Sequence, residues 1–335
     1  MFKPEQLIND PGINSLIESG NYSDAAKRLL TSQKEHWKTL TAGYGSLNSI
    51  KTKRINFEGF SFIIQFNPGR IISSSALTDK KSIKERKCFL CCENLPAEQR
   101  GILINNYLLL INPFPIFPEH YTIPATSHKD QRIKDGFTDL LYITKLLSKY
   151  YAALYNGPQC GASAPDHMHF QAGNKAILPL YKEYEVIKNN YGEILARNND
   201  DKIIGVDDGL RKMVCLESKN KDSLIELFNS FYDIYKVCSN APEPMMNIVS
   251  FYKEEVWQII IMLRSKHRPE EFYRKGEERI LFSPAGSDFG GICVTPMEKD
   301  YYRIDKDLLV KIFNEVSIGT ELFVEIKKEI KTRFL

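Results

Sequence analysis

The segment His167-Met168-His169-Phe170-Gln171 sets two imidazoles and an amide at alternate positions, just after the turn-forming run Gly161-Ala162-Ser163-Ala164-Pro165. In a strand, successive side chains take opposite faces, so His167, His169 and Gln171 share one face while Met168 and Phe170 enter a core. A neutral imidazole attacks phosphorus well near pH 7, and its adduct remains a good leaving group. A strand fixes the direction of attack, which a displacement at phosphorus needs. Taken alone, a His-x-His pair on a half-exposed strand is equally a pair of metal ligands or a coincidence of composition.

Upstream lie further residues with chemistry in them. Cys88, Cys91 and Cys92 cluster, while Cys160, Cys215, Cys238 and Cys293 are scattered; seven cysteines so spaced are no disulfide framework. In a reducing compartment Cys88-x-x-Cys91 suggests a metal site or redox chemistry, but the strand–helix setting of a thioredoxin-like dithiol is missing. Three reduced cysteines at a turn are the plain alternative. His120 and His128 stand eight residues apart, after the proline-rich Asn112–Pro118. Arg70 follows the turn Asn67-Pro68-Gly69; a guanidinium suits phosphate, and a solvated arginine beside a turn fits the same residues. Gly286, Gly290 and Gly291 make no phosphate-binding loop, because no Gly-Lys-Ser/Thr follows them.

These residues need elements to hold them. Ala25–Leu40 has helical periodicity. Phe57–Gln65 and Ile71–Ala76 read as a hairpin turning at Asn67-Pro68-Gly69. Ile102–Ile111 and His120–Pro124 are predicted strands, with no helix allowed across Asn112–Pro118. Asp130–Tyr151 is a predicted helix and His167–Gln171 a strand. Ile177–Leu180, Tyr184–Ile187 and Lys212–Leu216 read as strands, followed by an amphipathic helix over Ser223–Val237. Met246–Tyr252, Trp257–Leu263, Ile280–Ser283 and Gly291–Thr295 are further strands, before helices over Leu308–Phe313 and Glu321–Thr332. Strands and helices come in blocks rather than in strict alternation, which predicts an α+β fold with mostly antiparallel sheet.

The chain has 335 residues, enough for one large or two ordinary well-buried domains. Hydrophobic content of 43% and charged content of 26% are those of a globular protein. A net charge of +3 is too small for nucleic-acid binding through bulk electrostatics, so no nucleic-acid partner is expected. No apolar run reaches the ~18 residues of a membrane span, and the opening residues hold no secretory h-region. The expectation is a cytoplasmic protein without a membrane partner. The sequence does not fix the oligomeric state and is compatible with a homodimer.

The motifs together carry a resemblance. Gly-Ala-Ser-Ala-Pro followed by His-Met-His-Phe-Gln resembles the His-x-His-x-Gln signature of the galactose-1-phosphate uridylyltransferase branch of the histidine-triad (HIT) superfamily. That branch includes diadenosine-tetraphosphate phosphorylases and GDP-hexose phosphorylases. Asp166, between Pro165 and His167, departs from the uridylyltransferase version. Asn112-Pro-Phe-Pro and His120–His128 resemble the superfamily's upstream strand and loop, and Cys88-Phe-Leu-Cys91-Cys-Glu-Asn94 resembles its Cys-x-x-Cys segment. Met246–Val294 is similar to the degenerate second repeat of dinucleotide phosphorylases.

The resemblance implies an α+β, HIT-like fold in two halves. A helical extension over 1–44 precedes a half at 45–185 with the active-site motif and a degenerate half at 186–335. It implies that His169 attacks the α-phosphorus and carries a nucleotidyl group, with Gln171 bonded to a phosphoryl oxygen. Ser163, Asn112 and Arg70 would bind phosphates or nucleoside, and Asp288 is the nearest counterpart of an acidic sugar-binding residue. Cys88, Cys91, His128 and His167 would hold a structural zinc, a closed set of two thiolates and two imidazoles. The substrate would be a nucleotide, a nucleotide sugar or a dinucleoside polyphosphate, with a phosphate-bearing acceptor. Hydrolytic relatives carry histidine in the third slot; glutamine relays no protons, which favours a phosphate acceptor over water. A hydrolase of the same fold and a non-catalytic nucleotide-binding protein are the alternatives.

Overall fold

The computed structural model describes residues 4–71, 80–240 and 243–334. Its centre is one ten-stranded antiparallel sheet in the order β3-β4-β5-β7-β6-β11-β12-β10-β9-β8. The strands are β3 (Gly101–Ile104), β4 (Tyr107–Ile111), β5 (His120–Pro124), β6 (Tyr151–Asn156), β7 (His169–Asn174), β8 (Gly192–Asn198), β9 (Asp201–Asp207), β10 (Lys212–Ser218), β11 (Met246–Lys253) and β12 (Val256–Leu263). The five strands of 101–174 meet the five of 192–263 where β6 pairs with β11, Asn156 opposite Asn247. A second, three-stranded sheet of β1 (Lys51–Asn56), β2 (Ser61–Phe66) and β13 (Ile292–Thr295) lies apart from it. The fold is thus the expected α+β class with mostly antiparallel sheet.

Both faces of the large sheet are covered, so its central strands are apolar on both sides. Ala153, Phe170, Ala172, Val214 and Ile261 face one core with the N-terminal helices and the helices Ile133–Leu146, Lys221–Ser239 and Thr320–Arg333. Leu154, Cys215, Ile260 and Met262 face a second core with the small sheet and the helices Pro179–Tyr191 and Lys306–Val316. The alternation of β7 follows the pleat: Phe170 and Ala172 enter the first core, leaving His169 and Gln171 on the other face. Among the described residues, no helix is long and apolar enough to cross a membrane.

Several elements differ from the sequence expectation. The N-terminal helix breaks at Trp37, whose extended backbone (φ −118°, ψ 96°) divides Tyr22–His36 from Lys38–Gly45. The first hairpin turns at Phe57–Phe60 through Gly59 (φ +78°), while Asn67–Arg70 is a turn leaving β2; residues 72–76 of the expected second strand lie outside the described residues. Ile102–Ile111 is two strands, because Asn105 takes a left-handed conformation (φ 51°) that turns β3 into β4. The helix expected over Asp130–Tyr151 spans Ile133–Leu146, and Tyr151 opens β6. Ile177–Leu180 and Tyr184–Ile187 are no strands but parts of a 3-10 turn and the helix Pro179–Tyr191, with Pro179 in the first turn where its missing N–H costs nothing. Ile280–Ser283 forms no ladder; Ile280 and Leu281 donate their N–H groups to Glu271 O and Asp300 Oδ2 instead.

Candidate active site

His169 opens β7 opposite Pro124 of β5. Gln131 brackets its backbone: Oε1 accepts the His169 N–H at 2.7 Å, and Nε2 donates to the His169 carbonyl at 3.0 Å. Far from half-exposed, His169 is buried, with 2% of its surface accessible. Its Nδ1 lies 2.7 Å from the His167 carbonyl, which can only accept, so Nδ1 carries the proton and Nε2 the lone pair. Burial holds the ring neutral, pushing its pKa down to about 4.

Two residues on, Gln171 is oriented by a fully buried histidine. The Ile116 N–H donates to His120 Nδ1 at 3.2 Å, so His120 holds its proton on Nε2, which donates to Gln171 Oε1 at 2.9 Å. With Oε1 so engaged, the amide offers its N–H groups elsewhere. Burial, reinforced by Arg70, keeps His120 neutral, its pKa pushed down to about 3.

On the near side of β7 the four sulfur- and nitrogen-bearing residues singled out in the sequence meet. The ligand atoms of Cys88, Cys91, His128 and His167 all lie within 4.8 Å of one another. Cys88 Sγ and His167 Nδ1 are 3.3 Å apart, Cys91 Sγ and His128 Nδ1 3.1 Å, and Cys91 Sγ and His167 Nδ1 3.6 Å. Bond lengths of ~2.3 Å to sulfur and ~2.0 Å to nitrogen set tetrahedral edges of roughly 3.5 Å, so these contacts fit a zinc ion. His167 donates from Nε2 to the Ala125 carbonyl at 2.8 Å, which leaves Nδ1 as the ligand atom, while Asp166 Oδ2 stands 4.0 Å from His128 Nε2. Cys92 is turned to the Thr126 carbonyl and is outside the set.

A cavity of about 460 Å³ lies against this assembly, and His169, Gln171, Ser163, Asn112, Arg70 and Asp288 all line it. Their states differ. Asn112 spends its amide on shape, accepting the Phe114 N–H at 2.9 Å and donating to Thr122 Oγ1 at 3.1 Å. Arg70 donates to the Phe114 carbonyl at 2.6 Å; burial lowers its pKa to about 10, so it stays cationic. The two Asp288 oxygens accept the N–H groups of Ala285 and Val294 at 2.8 and 2.9 Å, and burial pushes its pKa up to about 6. Asp288 therefore fixes the cavity wall rather than offering unused oxygens to it. Ser163 sits on a loop that Arg86 holds by Nη2, 3.1 Å from both the Ser163 carbonyl and Asp166 Oδ1. Gly161 (φ +88°) lets this loop approach the opposite wall, where an added Cβ would stand 2.5 Å from that of Ala285.

Sequence reasoning missed Gln131, Asn156 and the wall residues His267, Arg268, Ser283 and Ser287. Asn156 ties β6 to β11 and to the helix Gly286–Phe289: its Oδ1 accepts from Gly286 N at 2.8 Å and from Asn247 Nδ2 at 2.7 Å. The predicted helix Asp130–Tyr151 stops where this strand begins, and no element is predicted over 152–156. The pair His267-Arg268 stood in the open as a short basic run.

The α+β fold, with its large antiparallel sheet and helices on both faces, is HIT-like and similar to that of yeast Ap4A phosphorylase. The crystal structure of that enzyme in complex with AMP matches 88% of this chain and 96% of its own, with a TM-score of 0.59 and 17% identity. Its complex with Ap4A matches 84% and 97%, with a TM-score of 0.54 and 16% identity. Residues 29–174 match a family described as "Domain of unknown function (DUF4922)". No curated protein matches the sequence.

Proposed function

We propose that the protein is a nucleotidyltransferase of the phosphorylase kind, acting on a dinucleoside polyphosphate or a nucleoside diphosphate sugar through a nucleotidyl group carried on His169. The observation that carries this reading is the state of His169: neutral, its proton committed to the His167 carbonyl, its Nε2 lone pair unprotonated beside Gln171 in a cavity large enough for a nucleotide. In the first step Nε2 attacks the α-phosphorus, and the bond to the departing phosphate oxygen breaks. In the second, an acceptor phosphate oxygen attacks, and the electron pair of the N–P bond returns to the ring. Nδ1 keeps its proton throughout. Gln171, from its amide N–H groups, and Arg70 stabilise the charge on the phosphoryl oxygens. The fold shared with an enzyme crystallised with AMP and Ap4A supports a nucleotide substrate.

Cys88, Cys91, His128 and His167 would hold a structural zinc, which with four protein ligands leaves no position for a catalytic water. Its part would be to tie the cysteine loop to the strand that aims His169. We also read 45–185 and 186–335 as two HIT-like halves, a division that the two sets of five strands support. Intact-mass measurement after incubation with Ap4A and with ADP-, GDP- and UDP-sugars tests the main reading. One added nucleotidyl group, absent in His169→Ala and discharged by phosphate, is the expected result. Turnover without any adduct on the wild-type chain, and at the same rate in His169→Ala, would overturn it.

A further inference from the structure

One wall of the cavity owes nothing to the histidine strand. The loop after β12, the segment before the helix Gly286–Phe289 and that helix itself bring His267, Arg268, Ser283 and Ser287 to the space that His169 and Gln171 line. This wall is built rather than loose. Buried Arg264 donates through Nη2 to the carbonyls of Lys266 and His267 at 2.9 and 3.2 Å, and through Nε to Val316 O at 3.1 Å. The Ser265 hydroxyl bonds the Ser317 carbonyl at 2.7 Å. The Arg268 guanidinium lies over the Phe272 ring, 4.1 Å from its centroid. His267 is kept neutral by burial and its two arginine neighbours, so Arg268 supplies the charge here. Ser283 Oγ is buried and has no hydrogen-bond partner among the described residues. A buried hydroxyl left unpaired is costly, and a bound acceptor atom removes that cost.

We propose that this wall is a second phosphate subsite, which holds the departing phosphate in the first step and the attacking phosphate in the second, with Arg268 as its cation and Ser283 as a donor. The inference rests on the His169 reading and on the geometry of two displacements at one phosphorus. Each displacement is in line, so the leaving oxygen of the first step and the attacking oxygen of the second both lie opposite Nε2. One subsite must serve both. The acceptor is then a phosphate dianion: its oxygen bonds to phosphorus as the N–P bond breaks, no proton has to move, and inorganic phosphate yields a nucleoside diphosphate.

The test uses the full chain with Arg268→Gln and Ser283→Ala. For inorganic phosphate as acceptor, KM should rise about tenfold or more in Arg268→Gln and about threefold in Ser283→Ala, the scale of a lost charge-assisted and a lost neutral hydrogen bond. The affinity for AMP, GMP or UMP, which carry no distal phosphate, should stay within about twofold. Ser283→Ala should melt no lower than wild type, since the resting fold gives its hydroxyl no bond to lose. Calorimetric titration of the resting protein with inorganic phosphate separates the two readings. If no adduct or turnover is found in the wild type, phosphate binding that weakens in Arg268→Gln keeps the subsite while the His169 reading falls. Phosphate KM and phosphate affinity unchanged in both variants, or monophosphate affinity falling as far as phosphate affinity, overturns the subsite.

Discussion

His120 donates from Nε2 to Gln171 Oε1 at 2.9 Å, and the Ile116 N–H, 3.2 Å from Nδ1, leaves it no other tautomer. A backbone amide thus decides, through one buried ring, which end of the Gln171 amide is left for a ligand. Held this way, Gln171 offers donors and no proton to give up, which suits a phosphoryl oxygen and gives nothing to a water nucleophile.

Removing the ring should therefore cost rate more than affinity. His120→Ala is expected to lower kcat with phosphate roughly 10²-fold, the scale of one misplaced transition-state donor, with the nucleotide KM changed less. His120→Gln, long enough to keep a donor toward Gln171, should recover part of the loss. Steady-state kinetics on protein shown to be folded by circular dichroism decide it; equal losses in the two variants would mean that His120 only fills space.

For His169 the expectation is sharper. His169→Ala should lose turnover by several orders of magnitude and form no nucleotidyl adduct by intact mass. Because the ring is buried, not surface-facing, the same variant should also lose roughly 1–3 kcal/mol of stability by denaturant titration. The Gln131 clamp grips only the backbone of residue 169, so the strand itself should persist.

How much of this the sequence disclosed depends on the kind of signal each residue carries. The period-2 row from His167 to Gln171 and the Cys88–Cys91 spacing are local patterns, and both lead to the places the structure gives them. Asn112, Arg70 and Asp288 were found at the cavity, but their hydrogen bonds to Phe114, Ala285 and Val294 depend on turns that no periodicity encodes. β3 and β4 were fused because Asn105 turns the chain without glycine or proline. Tyr184 and Ile187 look like strand residues, yet Pro179 starts a helix that packs both into the second core. Arg268 went unread because its partner in the site, His169, is brought to it by the pairing of β6 with β11.

Asp288 gives a prediction about pH. Burial raises its folded pKa to about 6, from 3.8 for the unfolded chain. Well below pH 3.8 the carboxyl is neutral in both states and imposes no penalty. As pH rises from 4 to 6 the unfolded chain ionises first, so stability is lost over that window, by roughly 3 kcal/mol at most for a two-unit shift. Asp288→Asn lacks this titration. Melting curves from pH 4 to 7.5 should show wild type losing ground to the variant up to about pH 6 and holding a constant difference above it. A difference that is flat from pH 4 upward would mean that Asp288 is ionised throughout.

The zinc prediction ties the cysteine loop to the nucleophile. Cys88 and Cys91 reach one tetrahedron from a single turn, but His128 comes from the loop after β5 and His167 from the residue pair before β7, so a metal there closes three segments at once. Its binding free energy would then be folding free energy. Elemental analysis should find about one zinc per chain, and Cys88→Ser or Cys91→Ser should lower Tm by more than about 5 °C while the rate per folded molecule falls much less. His167→Ala should damage both, because the ring is a ligand and also anchors to Ala125 the turn whose backbone carbonyl, at residue 167, holds the His169 Nδ1 proton. Arg86→Ala offers the complementary test: it breaks the contacts to Ser163 and Asp166 without touching a ligand, so zinc content should stay while the nucleotide KM rises. Metal-free protein with wild-type stability would mean that the two thiols and two imidazoles meet without an ion between them, and the loop would owe its place to Asn94, whose amide donates to the Cys88 carbonyl at 2.9 Å, and to Arg86.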